Sequence, residues 1–405
     1  MACIPAGFAG RIVAVTLLSF ALFEGISVLT LLALDIREGQ SFYSAARNRY
    51  ATLRQAWVPP NYYGSFDPLV QMRHIPGSMY RGLLVNEHGF IGNGNDDPAL
   101  ASFPEKPIGV YRILLLGGSS VAGDGVSDAR ETISSQLERQ LNATTGDSGL
   151  RYQVLNFGLR GGYTGSEVLK FLMQLVHLQP DMVISLDGFN DAWNAVFEHT
   201  RVGLPHGILN WGDYNYLYFE RLNGLVPHRG TARSPKVLTF SVTLANRLLI
   251  SHWQPAARRN LYAEYPWYVI SGQLSQSDKF FAKALGSNLN ALGAYATMNP
   301  EVALIAYLQP HAHQWKPLTA GERERLEAWH TGRFTWDTYR GLMLPAFERY
   351  AEVYRSLAEQ YSDIENVDFI NLLRLFEEEH GDVYADVIHY TAHGNGLLAG
   401  RMAKD

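Results

Sequence analysis

Cysteine is nearly absent from this chain: Cys3 is the single one in 405 residues. That excludes a disulfide framework and any metal site built on several thiolates. A basic excess is missing too, with 34 lysines and arginines against 39 aspartates and glutamates and a net charge of -5. Nucleic-acid binding wants a basic stripe that displaces phosphate counterions, so no nucleic-acid partner is expected. Charged residues make up only 18% and hydrophobic ones 47%. Such a chain holds a large core and is not wholly disordered. Internal repeats and long low-complexity tracts are absent as well.

One long apolar run is present. Ile12–Leu34 (IVAVTLLSFALFEGISVLTLLAL) carries Glu24 as its lone charge. As a helix its about 23 residues extend roughly 34 Å, enough for a bilayer core. No clear A-x-A cleavage site follows, and Cys3 precedes the run, so no lipobox follows either. Residues 1–36 are therefore expected to be an uncleaved, single-pass anchor in the cytoplasmic membrane, with the long remainder on the periplasmic side. A cleaved signal peptide is the alternative. Glu24 marks either a contact with a membrane-protein partner or a lone protonated carboxyl tolerated in lipid. Beyond it, Arg47, Arg49 and Arg54 interleave with Tyr43, Tyr50 and Trp57. That mixture suits the headgroup layer or an ordinary connector.

Residues 37–108 read as a juxtamembrane segment and an irregular arm. From 109 to 405 short apolar runs alternate with amphipathic stretches. Val110–Leu116, Tyr152–Phe157, Met182–Leu186, Glu301–Leu308 and Asp368–Leu372 read as strands. Asp128–Leu141, Ser166–Gln179 and Leu342–Tyr361 have helical spacing. The alternation predicts an α/β fold, a parallel sheet with helices on both faces. Residues 195–300, rich in aromatic and turn residues, fit this rhythm poorly and read as an insertion or cap.

Ligands in such sheets collect beyond the carboxyl ends of the strands. Those ends carry Gly117-Gly118-Ser119-Ser120, Asn156-Phe157-Gly158-Leu159-Arg160-Gly161-Gly162 and Asp187-Gly188-Phe189-Asn190-Asp191, with Asp386-Val387-Ile388-His389 near the C-terminus. Singly each is weak, since a serine there can simply cap a helix and Asn-Asp is commonly a turn. A nucleotide cradle fails because Asp124 stands at the lysine position of a Walker spacing, and no G-x-G-x-x-G is present. The zinc-protease reading of His389 and His393 fails because Tyr390 stands where the glutamate belongs. Val121 stands at the last position of G-x-S-x-G, which excludes the α/β-hydrolase elbow. His311 and His313 offer a metal pair without a full ligand set, or line the pocket. No metal and no cofactor are expected.

Together and in order, LLGGSSVAG, NFGLRGGYT, DGFND and DVIHYTAHGNGLLA resemble the four blocks of the SGNH (GDSL-like) hydrolase superfamily. The resemblance runs from Val110 to about Met402. It implies a three-layer α/β/α fold with a flavodoxin-like sheet and a catalytic set of Ser119, Asp386 and His389. It also implies an oxyanion hole from Ser119, Gly161 and Asn190, with Gly162 as the alternative glycine. Gly162, His311 and His313 are the expected substrate-binding residues. One departure is that Gly118 stands where the namesake motif has aspartate.

The chemistry fits those residue types. A serine hydroxyl needs a base to take its proton. An imidazole serves near neutrality, and a carboxylate fixes its tautomer and stabilises the imidazolium. A helix opening at Ser119 would add a positive end near the oxyanion. The expected function is a membrane-anchored serine esterase acting on an O-acyl group of a glycan or lipid. The alternatives are O-acyl transfer to an envelope polysaccharide and a non-catalytic membrane scaffold. Trp211, Tyr214, Tyr216, Tyr218 and Phe219 in the insertion suit sugar stacking or core packing.

Overall fold

A computed structural model of the chain describes residues 6–37, 64–67, 71–94, 103–146, 149–193, 278–312, 315–328 and 336–405. The chain divides into two units, Met1–Pro60 with Gly224–Pro266, and Asn61–Asn223 with Trp267–Asp405. The connector 40–57, residues 195–277 with their aromatic cluster, and His313 lie outside the described residues.

In the first unit, helix α1 covers Ala6–Arg37. Leu18, Leu22, Phe23, Ile26 and Leu29 are exposed on it. Its hydroxyls bond back along the helix, Ser27 Oγ to the Phe23 carbonyl and Thr30 Oγ1 to the Ile26 carbonyl, each at 2.9 Å. Among the described residues no helix is long and apolar enough to cross a membrane. Side chains of α1 are described without a break only over 18–34, a shorter stretch than Ile12–Leu34.

The second unit begins with two small hairpins, β1 (Gly64–Asp67) with β2 (Gln71–His74), and β3 (Met79–Tyr80) with β4 (Leu83–Leu84). Next come β5 (Val110–Gly117), the single turn α2 (Ser119–Ala122), α3 (Ile133–Thr144), β6 (Arg151–Asn156) and α4 (Thr164–Met173). Then follow β7 (Met182–Asp187), α5 (Phe189–Trp193), α6 (Asp278–Met298), β8 (Ala303–Leu308) and α7 (Ala320–Ala328). The chain closes with α8 (Trp336–Gln360), β9 (Val367–Asn371) and α9 (Ala392–Met402).

Five strands form one parallel sheet in the order β6-β5-β7-β8-β9. Relative to chain order this is the flavodoxin-like 2-1-3-4-5 arrangement, whose switch point lies beside the first strand. The inner strands carry short apolar runs such as Ile113–Leu116 because both faces are covered; adjacent Leu114 and Leu115 in β5 are both fully buried. Helix α9 packs on α3, while α6 packs on α4 and α8. Right-handed crossovers put these two helix groups on opposite faces.

The reading of 195–300 as an insertion extends too far. Residues 278–298 form α6, and Leu285, Leu289, Leu292 and Ala296 bury one side of it in the main core. This helix contains Gly286 and Gly293. At Gly293 an added Cβ would lie 2.6 Å from the Tyr361 ring, so the missing side chain lets α6 and α8 approach. The arm is also less irregular than expected. Tyr80, Leu83, Val85 and Ile91 pack with Ala122 of α2 in a cluster of their own.

Gly158 follows β6 and lies against α2. A Cβ there would stand 2.2 Å from the Ala122 nitrogen and 2.6 Å from the Val121 carbonyl carbon, which are backbone atoms that cannot swing aside. Gly158→Ala is expected to lower the urea unfolding free energy by about 3 kcal/mol, as overpacking does. A change under about 0.5 kcal/mol, usual for open surface positions, would contradict this packing.

Candidate active site

Ser119, at the end of β5, meets Asp386 and His389 of the loop that precedes α9. Ser119 opens α2 directly after β5. His389 Nε2 lies 2.7 Å from Ser119 Oγ, and Nδ1 lies 2.6 Å from Asp386 Oδ2. With Nδ1–H donating to the carboxylate, Nε2 is left to accept the serine proton. Asp386 Oδ1 also accepts from the backbone N–H of Ile388 at 3.0 Å and of His389 at 2.9 Å. Burial works to raise the Asp386 pKa. The hydrogen bond and charge of His389 and the two N–H groups outweigh it, and the carboxyl sits below its ordinary range.

The loop that carries Asp386 and His389 is fixed from several sides. Fully buried Glu322 accepts from Lys316 Nζ at 2.6 Å and from the Val383 and Tyr384 N–H groups at 2.9 and 3.0 Å. Tyr390 OH donates to the Pro310 carbonyl at 2.6 Å, and Ala312 N–H donates to the Val387 carbonyl. Ser120, next to the nucleophile candidate, is buried: it accepts from Gln309 Nε2 at 2.6 Å and donates to the Ile388 carbonyl. That leaves Ser119 as the serine facing the imidazole.

Asn190 Nδ2 donates to the Gly162 carbonyl at 2.6 Å. Gly162 is buried, and a Cβ on it would lie 2.9 Å from the Leu159 carbonyl oxygen. Its carbonyl therefore anchors the Asn190 amide. Gly161 is partly exposed. Among the described residues neither its N–H nor that of Ser119 is spent on a backbone acceptor. The helix after Ser119 is one turn of four residues, so the expected positive helix end supplies little there.

Gly118 explains the departure from the namesake motif. A Cβ on it would stand 2.5 Å from Asn190 Nδ2. Any side chain pushes the amide off its position. Gly118→Ala is expected to lower kcat about 10- to 100-fold on an activated ester with the fold intact, because a displaced donor no longer meets the developing charge. An unchanged kcat would show that Asn190 is not a donor.

Other expectations fall out differently. His311 is fully buried and stacks on Phe347 with ring centroids 3.8 Å apart, so it packs beneath the surface and does not line an open crevice. A cavity of about 240 Å³ beside β9, lined by Trp315, Phe347, Asn371 and Arg374 among others, contains none of the catalytic candidates. Among the described residues no cluster of His, Cys, Asp and Glu could hold a metal ion.

Two groups escaped the sequence reading. Asp124 is 1% exposed, accepts from Tyr80 OH, and its Oδ2 lies 3.6 Å from His389 Nε2 and 3.3 Å from Arg81 Nε. Burial and Asp124 hold the Tyr80 phenol well above its ordinary range. A carboxylate on that side of the ring adds Coulombic support for an imidazolium. No spacing rule links Tyr80, Arg81 and Asp124; the close hairpin β3–β4 does.

Beneath Asn190 and Gly162 lie three buried carboxyls, Glu167, Asp187 and Asp191. Asp191 accepts from Thr164 Oγ1 at 2.5 Å. Burial first, then the neighbouring Asp187 carboxyl, raises its pKa to about 7. Burial and the same neighbour push Glu167 well up, and burial raises Asp187. Carboxyls whose folded pKa is raised stabilise the protein below the unfolded value near 3.8, and that stability is lost as pH rises through the folded value. The thermal midpoint is expected to fall between pH 4 and pH 7 and to fall less in Asp191→Asn. A midpoint rising over that window in the wild type would contradict the buried, protonated cluster.

No family model matches the chain, and no curated protein matches it. Solved structures similar to it include an acetylxylan esterase from Geobacillus stearothermophilus, with 13% identity over 73% of this chain and 93% of that one, TM-score 0.38. Another is the lipase/acylhydrolase from Enterococcus faecalis, with 12% identity over 72% and 93%, TM-score 0.36. A third is a G-D-S-L family lipolytic protein from Desulfitobacterium hafniense, with 10% identity over 73% and 98%, TM-score 0.36. At this degree of overlap the assignment of function has to come from the site itself.

Proposed function

We propose that the chain is a serine esterase of the SGNH type that removes an O-acyl group from an envelope glycan or lipid. One observation carries this reading: the unbroken relay from Ser119 Oγ through the His389 ring to Asp386, at 2.7 and 2.6 Å. In the first step the Ser119 oxygen bonds to the ester carbonyl carbon while its proton passes to His389 Nε2. The carbonyl oxygen becomes an oxyanion, received by the Ser119 and Gly161 N–H groups and the Asn190 amide. The tetrahedral intermediate collapses, the sugar or lipid oxygen leaves with the Nε2 proton, and an acyl-Ser119 remains. Water then attacks in the mirror sequence and frees the acid.

Anchoring in the cytoplasmic membrane with the catalytic unit outside is part of the proposal. It is supported by the exposed apolar side chains of α1 and its internally bonded hydroxyls, which suit a lipid surround. Transfer of the acyl group to a sugar hydroxyl shares every step up to the acyl-enzyme.

The test is acetate release from an acetylated polysaccharide by the full chain in detergent, with and without a deacetylated acceptor glycan. Free acetate in stoichiometric yield, lost in His389→Ala, supports hydrolysis. Acetylated acceptor in place of acetate assigns transfer. Neither product from any acyl ester would overturn the enzyme reading.

A further inference from the structure

The hairpin β3–β4 turns on Arg81 and Gly82, with φ values of 48° and 95°. Two-residue turns of this kind favour Asn-Gly or Asp-Gly, because both central residues need positive φ. Arginine at the first position is disfavoured, and such an outlier asks for a local reason. The turn delivers its side chain to the catalytic centre. Arg81 Nε is 3.3 Å from Asp124 Oδ2, the same oxygen is 3.6 Å from His389 Nε2, and that nitrogen is 2.7 Å from Ser119 Oγ. Asp124 is buried, while the Arg81 side chain is 49% exposed. Among the described residues Asp124 is the single ion-pair or hydrogen-bond partner of Arg81.

A guanidinium pinned at Nε by a buried counter-ion keeps its two terminal nitrogens as a fork open to solvent. That fork matches a carboxylate in two parallel hydrogen bonds. Arg160, the residue before Gly161, also acts electrostatically on the Tyr80 phenol. Arg81 is therefore a cation within two contacts of the His389 ring, in a chain whose net charge is -5.

We infer that Arg81 is a specificity residue that binds a carboxylate next to the scissile ester, so that the preferred substrate is an acyl ester of an acidic sugar. This rests on the esterase reading and names its substrate class. Asp124 holds the arginine in place and stays beneath it, out of reach of substrate.

The experiment compares two esters that differ at one carbon: the 4-O-acetyl methyl glycoside of a hexuronic acid and that of the parent hexose. Wild-type kcat/KM is expected to favour the uronate about tenfold or more, the worth of a charge-assisted pair. In Arg81→Gln the ratio should collapse toward one, the neutral ester serving as the reference for general damage. An equal loss on both esters would overturn the inference and make Arg81 a prop for Asp124. A third ester, the 4-O-acetyl methyl glycoside of the hexose 6-phosphate, is run beside them, and its preference over the uronate would overturn the carboxylate assignment. Binding of the same pair to Ser119→Ala, by calorimetry, reads the preference without turnover. No preference in either measurement sinks this inference alone; no turnover of these or any other acyl ester, with uronate still bound tenfold tighter, sinks the esterase reading and leaves Arg81 as a carboxylate-binding residue only.

Discussion

Ser119→Ala is expected to lower kcat on p-nitrophenyl acetate by roughly 10⁴-fold or more, since the attacking atom is removed and what remains is binding and oxyanion stabilisation. The residual rate should exceed that of water, because the Ser119 and Gly161 N–H groups and Asn190 stay in place. The fold should not suffer. Ser119 Oγ bonds to the imidazole, whereas buried Ser120 ties α2 to Gln309 and the Ile388 carbonyl. Ser120→Ala is thus the informative partner variant, losing stability first and activity second. If Ser120→Ala abolished turnover and Ser119→Ala spared it, the nucleophile would be misassigned.

Asp386→Asn is expected to cost about 10⁴-fold in kcat, through the wrong imidazole tautomer. The Asn amide can donate to Nδ1, which moves the ring proton to Nε2 and leaves Ser119 without a base. The loop itself should hold, because Glu322, Tyr390 and the Ala312–Val387 bond fix it independently. Circular dichroism of Asp386→Asn should match the wild type. A fall of only a few fold would mean that the carboxylate merely decorates the site. Asp124, on the other side of the ring at 3.6 Å, would be the group to examine next.

Much of the core was legible in the sequence for one reason: parallel strands buried on both faces read as continuous apolar runs. The apolar stretches of residues 113–116 in β5 and 182–184 in β7 show this, and the ends of these strands mark where ligands collect. The relay was legible because the four blocks occur in order, although Ser119 and His389 are far apart in the chain. Helix α6 was not, since it lies in a stretch rich in aromatic and turn residues, and its Gly286 and Gly293 serve close packing against Val353 and Tyr361 that sequence does not show. Nor were Tyr80, Arg81 and Asp124, because nothing in their spacing announces that a two-residue turn carries a cation to the imidazole. His311 misled for the opposite reason: its place after β8 suggests the crevice, but its ring turns inward onto Phe347.

The most direct test is to treat the full chain with a fluorophosphonate and map the adduct by peptide mass spectrometry. A single adduct on Ser119, absent in His389→Ala, is the predicted result. An adduct on another serine, or steady turnover of p-nitrophenyl acetate with Ser119 unlabelled, would contradict the proton relay on which the proposed chemistry stands.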